Sequence, residues 1–265
     1  MIESWLNTAH FWFKGWHFAV GDALCGPIQG TLPASIAPHC PRFVDGFFTT
    51  LELVLLALVL AFLIARQLTA WLELGPHWCK APIRAYVYVF QGTPLLIQLW
   101  LVYYGLAQFE TVRDSGLWVF LSSGWWVGLL VLTLNSAAYQ TNILQGAVAN
   151  LPSGQSEGAD SLGLTRRLKY RKILFPQAMR AAWPALGNEG ILLLKASALV
   201  STITVYDLMG HARTVFSRSY DLWVYGGAAV LYIVLTALIT ALLWAIRRHG
   251  FAPLPTDEWF SAIRR

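Results

Sequence analysis

Asn150-Leu-Pro-Ser-Gly-Gln-Ser-Glu157-Gly-Ala-Asp-Ser-Leu-Gly163-Leu-Thr-Arg-Arg-Leu-Lys-Tyr-Arg-Lys-Ile173-Leu-Phe-Pro176 is a polar stretch set between long apolar runs. Ser153 follows Pro152 and is placed to cap a short helix. Gly163 tolerates the left-handed conformation in which helices end. Thr165 is placed to cap a second short helix, and Pro176 to break it. Residues 150–180 therefore predict a helix-turn-helix elbow lying outside a bilayer. Leu162, Leu164 and Leu168 fall on its apolar side. Such an elbow suits docking on a soluble partner, or lying on anionic lipid through its basic residues.

The flanks of the elbow explain why a bilayer enters the argument. A spanning helix needs about 20 mostly apolar residues. Residues 47–65, 86–107, 117–139, 186–206 and 222–246 meet that need or come near it. The first holds one charge, Glu52, and the fourth holds Glu189 and Lys195. Gly92 and Pro94 interrupt the second. Of the 265 residues, 56% are hydrophobic and 12% charged, against roughly 25% charged in soluble proteins. Mean hydropathy is +0.51. A soluble globule of this length has too little interior for that much apolar surface, which excludes an ordinary soluble enzyme and a disordered chain. The expected fold is an all-α integral membrane protein with five transmembrane helices.

Charge placement orients it. Arg66, Lys80 and Arg84 follow the first span, and Arg166, Arg167, Lys169, Arg171, Lys172 and Arg180 follow the third. Arg247, Arg248, Arg264 and Arg265 follow the fifth. The other side receives only Lys14, Arg42, Arg113, Arg213 and Arg218. Positive loops stay in the cytoplasm, so the amino terminus is expected outside and the carboxy terminus inside. An odd number of spans requires the same. The net charge of +5 is thus a topology signal and gives no reason to expect nucleic acid as a partner.

Residues 1–46 read as an extracytoplasmic or interfacial segment, 47–248 as the transmembrane domain and 249–265 as a cytoplasmic tail. Glu3, Asn7, His10, Lys14 and His17 make a polar helical stripe, and Trp5, Ala9, Trp12, Trp16 and Val20 an apolar one. That pattern suits a helix in the outer interface, with a poorly spanning sixth helix as the alternative. No Lys or Arg precedes the apolar part, so a cleaved signal peptide is not expected. Cys25 and Cys40 are a candidate disulfide if this side is oxidising, and Cys79 reads as a free cytoplasmic thiol. His10, His17, His39, His77, His211 and His249 lack metal-ligand spacing and read as polar surface residues, so no metal site is expected.

The elbow also carries a family resemblance. Glu157, Ala159, Gly163, Ile173 and Pro176 match the spacing of the EAA signature, Glu-Ala-Ala, three residues, Gly, nine residues, Ile-x-Leu-Pro. That signature belongs to permease subunits of bacterial ABC importers. Gly158 replaces the first Ala and Phe175 the Leu. Phe90-Gln-Gly-Thr-Pro-Leu-Leu-Ile-Gln98 resembles the Arg-Gly-Thr-Pro-Leu-x-x-Gln motif of polar amino acid permeases, with Gln91 for Arg. Leu132-Thr-Leu-Asn-Ser-Ala-Ala-Tyr139 and Asn188-Glu-Gly-Ile-Leu-Leu-Leu-Lys195 fit the same subfamily. Lys195-Ala-Ser-Ala-Leu-Val-Ser-Thr-Ile-Thr-Val-Tyr-Asp207-Leu is closest to the branch that imports histidine, arginine, lysine, ornithine and opines. Ala196 stands where many relatives are acidic. The resemblance runs from about Gly46 to Arg248 and does not cover residues 1–45.

The resemblance implies the type I importer permease fold in a bacterial inner membrane. It implies that Glu157, Gly158, Ala159, Asp160, Gly163, Ile173 and Pro176 couple to an ATP-binding subunit dimer. It further implies a second, paralogous permease and a periplasmic amino acid-binding protein, with ATP and Mg held by the partner and no cofactor in this chain. Basic amino acids are the expected solute, with glutamine or glutamate as the alternative.

Charged and polar groups at membrane depth are functional candidates. Glu189 and Lys195 lie about 240° apart on a helix and cannot pair there. Glu189 suits a structural role, and Lys195 either a structural pairing or the solute carboxylate. Ser197, Ser201 and Thr204 form a polar stripe that suits the solute path or helix packing. Glu52 and Asp207 lie toward the side from which an imported cation arrives. Gly92, Thr93 and Pro94 break the second span, which is tolerated where backbone faces a cavity. Gln98, Asn135 and Tyr139 complete the candidate path. The chain lacks Gly-x-x-x-x-Gly-Lys-Ser/Thr and His-Glu-x-x-His, and its Gly-x-Ser-x-Gly match, Gly154–Gly158, falls in the polar elbow and not in an apolar span, so neither an ATPase nor an intramembrane hydrolase is expected. A stand-alone channel or secondary transporter remains as an alternative, without the internal repeat such proteins often carry.

Overall fold

A computed structural model describes residues 16–33 and 36–250. Residues 16–25 form helix α1, followed by 3-10 turns at Gly26–Thr31 and Ala37–His39. α2 runs over Cys40–Leu74, α3 over His77–Gly92 and α4 over Leu95–Trp100. α4 continues through a wider turn at Leu101–Gly105 and a 3-10 turn at Leu106–Gln108. Single turns at Glu110–Arg113 and Trp118–Leu121 lead to α5, Gly124–Ala149. The elbow is α6, Ser153–Ser161, and α7, Arg166–Lys169. α8 spans Phe175–Ser197 and ends in a 3-10 turn at Ala198–Ile203. α9 is Leu208–Ser219 and α10 is Trp223–Gly250.

α2 and α5 form the central pair, and α3, α8, α9 and α10 pack around them. Leu53, Ala57, Leu99, Val127, Leu132, Leu193 and Val200 join α2, α4, α5 and α8 in one core. Phe43, Val54, Leu208, Val215, Val224 and Leu235 join α2, α9 and α10 in another. α10 buries only 11% of its most apolar window, leaving Val230, Ile233 and Trp244 exposed. Water would penalise such a face, whereas lipid does not.

Among the described residues, three helical runs are long and apolar enough to cross a bilayer: Ala37–Leu74, Arg166–Ile203 and Trp223–Arg248. The second expected span is not one straight helix. His77–Gly92 and Leu95–Gln108 meet at 105°, giving up to four spans if the pair counts as one. The third expected span, residues 117–139, moves to Gly124–Ala149, because Ser123 is extended and separates it from the turn at Trp118–Leu121. α5 is about 39 Å long at 1.5 Å per residue. Its sequence carries Asn135, Ser136, Gln140 and Thr141, all buried, so its polar groups face protein. The fourth expected span starts earlier than residue 186, since the helical run Arg166–Ile203 continues through Pro176 instead of breaking there.

Two glycines let backbones meet. A Cβ on Gly46 would lie 2.8 Å from Leu208 Cα, and one on Gly124 would lie 2.0 Å from the Ile203 carbonyl oxygen. Gly146 has open space where its Cβ would go. Gly46→Ala should therefore destabilise the chain by about 1–3 kcal/mol through overpacking. Gly146→Ala should be neutral or stabilising. Thermal unfolding of the purified variants checks the pair, and equal melting temperatures would contradict the close approach.

Candidate functional site

The break between α3 and α4 forms the wall of a cavity of about 460 Å³. Pro94 has no N–H, so the Phe90 carbonyl four residues earlier loses its helical donor. Two side chains replace it. Gln98 Nε2 donates to the Phe90 oxygen at 3.0 Å, and Asn135 Nδ2 donates to it at 3.2 Å. Gln98 also donates to the Thr93 carbonyl and hydroxyl, at 3.1 and 2.7 Å. Asn135 in turn donates to Gln98 Oε1 at 3.1 Å. Gln91 donates to the Ala138 carbonyl at 3.2 Å, and the Tyr86 hydroxyl donates to the Leu134 carbonyl. The bend is thus bound to α5 by side chains, which pair its irregular backbone.

The cavity opens between that bend, Asn135 and Tyr139 of α5, and Glu189, Leu192, Leu193 and Ala196 of α8. Glu189 is 7% exposed. Ser136 donates to its Oε1 at 2.9 Å, and Gln140 donates to the Ser136 oxygen at 3.1 Å. A carboxylate carrying one such bond keeps acceptor capacity toward the cavity.

The elbow is built differently. Gly163 adopts φ +69° and ends α6, and its N–H donates to the Asp160 carbonyl at 2.9 Å. Thr165 caps α7, its oxygen accepting from the Leu168 N–H at 3.4 Å. Ser153 does not cap α6: Pro152 holds the capping position, and no side chain serves it. Lys169 Nζ joins the two arms, at 2.7 and 2.8 Å from the Asp160 oxygens and 3.0 Å from the Ser156 hydroxyl. Ala159 is buried, whereas Glu157, Gly158 and Asp160 are exposed. Leu162 is 77% exposed and Leu168 is 42% exposed, which leaves apolar surface at the tip of a basic hairpin. Arg166 donates to the Glu73 carbonyl and fixes the elbow to the end of α2.

The family model described as "Binding-protein-dependent transport system inner membrane component" matches residues 57–249. The chain belongs to this family. It is a permease component of a multi-pass inner-membrane transport system. It is 44% identical over 210 residues to the arginine ABC transporter permease protein ArtM of Haemophilus influenzae, covering 79% of this chain and 92% of that one. It is 36% identical over 226 residues to the octopine transport system permease protein OccM of Rhizobium radiobacter, covering 82% and 92%. A chain of a solved amino acid ABC transporter with histidines superposes with a TM-score of 0.71 at 33% identity, covering 81% of this permease and 96% of that chain.

The permease brings only some of the sequence candidates together. Gly92, Thr93, Pro94, Asn135 and Tyr139 line the cavity. Gln98 lies behind them as part of the bend's hydrogen-bond lattice. Glu189 joins the cavity wall, although its sequence position suggested a structural role. Lys195 is exposed and off the cavity, without an ion pair among the described residues. Ser197 is fully buried and donates to the Leu194 carbonyl at 2.7 Å, so it turns inward and not toward a path. Ser201 lines a separate hollow of about 500 Å³ with Thr204 and Arg213, whose Nη1 donates to it at 3.3 Å. The expected Ser197–Ser201–Thr204 stripe fails because the α-helix ends at Ser197 and Thr204 is left-handed, φ 67°.

Asp207 is fully buried and caps α9, its Oδ1 accepting from the Gly210 N–H at 2.8 Å. Burial pushes its carboxyl up to about 7, against the amide hydrogen bonds. It does not line the cavity. Glu52 is held by His17, which corrects the reading of His17 as a surface residue; His211 is buried too. Cys25 and Cys40 are joined as a disulfide with Cα atoms 5.9 Å apart. Glu3, Asn7, His10 and Lys14 lie outside the described residues. Sequence reasoning missed three contacts that seat α4. The Trp100 indole donates to Thr202 Oγ1 at 3.1 Å, the Tyr104 hydroxyl donates to the Thr202 carbonyl at 3.0 Å, and the Tyr103 and Thr204 hydroxyls bond at 3.0 Å. Their spacing of about 100 residues leaves no local signal.

Gln98→Glu should lower stability by about 1–3 kcal/mol, because a carboxylate cannot donate to the Phe90 and Thr93 oxygens. Thermal unfolding measures this, and an unchanged melting temperature would show that the bend does not need those donors.

Proposed function

We propose that this permease forms half of the path of an ATP-driven importer for basic amino acids or opines. The observation that carries the solute reading is Glu189. It places a buried carboxylate on a cavity otherwise lined by neutral groups, which suits a guanidinium or ammonium side chain. It disfavours glutamate by like-charge repulsion. The relatives named for arginine and octopine transport support the same reading.

In this proposal the chain crosses the membrane five times, with α3–α4 as one bent span and α5 as the polar central one. The amino terminus is outside and the elbow cytoplasmic, as the basic loops require. A second, paralogous permease completes the path. A periplasmic amino acid-binding protein delivers solute, and a separate ATP-binding subunit dimer takes the elbow in a cleft. ATP and Mg bind that subunit. Closure of the nucleotide subunits draws the elbows together, and alternating access follows from rocking the two halves. The elbow's Leu162 and Leu168, with the Asp160–Lys169 pair bracing the arms, supply an apolar contact on a rigid lever.

The complex reconstituted in vesicles tests this through ATP hydrolysis stimulated by binding protein and solute. Arginine, lysine or an opine should stimulate, and glutamate should not. Glu189→Gln should lower transport of a basic solute about tenfold or more, the loss of roughly 1.4 kcal/mol of charge-assisted binding. Stimulation by glutamate alone would overturn the solute reading.

The elbow generates its own expectation. Gly163→Ala strains a left-handed position by about 1–2 kcal/mol. It, or Glu157→Lys, should leave membrane insertion intact while ATP hydrolysis no longer drives uptake. Normal uptake by both variants would sink the coupling role. Gly158→Ala meets open space and should preserve uptake.

A further inference from the structure

The family match begins at residue 57, and α1 lies upstream of it. Yet α1 is tied into the bundle twice. One tie is the Cys25–Cys40 disulfide. The other is His17, which is 1% exposed. Its Nδ1 lies 3.2 Å from Asp45 Oδ1, and its Nε2 lies 2.9 Å from Glu52 Oε1. Asp45, 2% exposed, turns its second oxygen to His211 Nε2 of α9 at 3.0 Å. Phe48 stacks on the His17 ring at 5.1 Å, and Trp16 meets its edge. These four groups therefore connect α1, α2 and α9 at the end of α2 opposite the elbow.

Proton counting gives this cluster its meaning. An ionised carboxylate only accepts hydrogen bonds, and a neutral imidazole has a single N–H. Both His17 nitrogens face carboxylate oxygens, so the contact is satisfied only with one further proton, on the ring or on a carboxyl group. Without it a ring lone pair meets a carboxylate oxygen in a buried place, which is costly. The ion pairs of His17 among the described residues are the two with Asp45 and Glu52. The remaining titratable or charged groups on the elements around it are Asp22 on α1, His39 and Arg42 at the start of α2 with Arg66 and Glu73 at its far end, Asp207 at the start of α9, and Arg213 and Arg218 within it.

We propose that α1 is a proton-dependent clamp on this end of the bundle, closed by a proton held among His17, Asp45 and Glu52 and opened when it leaves. Asp45 passes the state of the clamp to α9 through His211. α9 is itself seated on α2 by the Thr50 hydroxyl, which accepts from the Leu208 N–H at 3.1 Å, so the clamp bears on a packed junction and not on a loose end.

The test is hydrogen exchange of residues 16–25 in the assembled transporter, measured by mass spectrometry in lipid nanodiscs. Cys25→Ser and Cys40→Ser together remove the covalent tie that would mask opening. Rates are divided by those of the free peptide at each pH, so that intrinsic exchange cancels. Protection should fall about tenfold or more between about pH 5 and about pH 8, the range in which histidine side chains in general change charge. His17→Gln carries no titrating proton and should show no such fall. Glu52→Gln is the sharper variant. Its amide donates to the lone pair of a neutral ring, so protection should persist at the alkaline end. A protection that ignores pH with His17 present would overturn the clamp. So would a Glu52→Gln variant that still opens like the parent, and that arm stands even if His17→Gln fails to fold.

Discussion

A carbonyl left without its helical donor between packed helices is the constraint on which the centre of this permease depends. Pro94 creates it at Phe90, and a backbone carbonyl left unpaired inside a protein is costly. Gln98 and Asn135 both donate to that oxygen, one from the next helix segment and one from α5. The same bonds hold the 105° bend open against α5. The cavity is the space this bend leaves between α4, α5 and α8, so the polar lattice and the pocket are one construction.

α5 shows the cost of that construction and how it is met. A helix carrying Asn135, Ser136, Gln140 and Thr141 is poorly suited to face lipid. It is wrapped by α2, α3 and α8, and these groups are buried against protein. α10 does the reverse: it presents an apolar face outward and contributes packing on one side only. The division between a polar centre and an apolar rim lets one chain hold both a carboxylate and a lipid boundary.

The elbow is nearly autonomous by comparison. Gly163, Thr165 and the Asp160–Lys169 pair determine its shape within a short segment, and Arg166 pins it to α2. Local chemistry of that kind can be read from order along the chain. Ser153 falls one residue inside the cap, because cap positions shift by a residue or two, and the helix runs on through Pro176 instead of ending there.

Composition and spacing by themselves determined that this chain lives in a membrane, that it is helical, that it breaks at Gly92-Thr93-Pro94 and that it bears a polar elbow with the EAA spacing. Those features are periodic or local, so each residue carries its own share of the signal. Tertiary structure alone decided that Glu189 faces the cavity, that Asp207 is a buried cap, that Ser197 turns inward and that His17 meets Asp45 and Glu52. Each of these depends on which helix lies beside which. Helical periodicity fixes the faces of a helix but not the neighbour that each face meets.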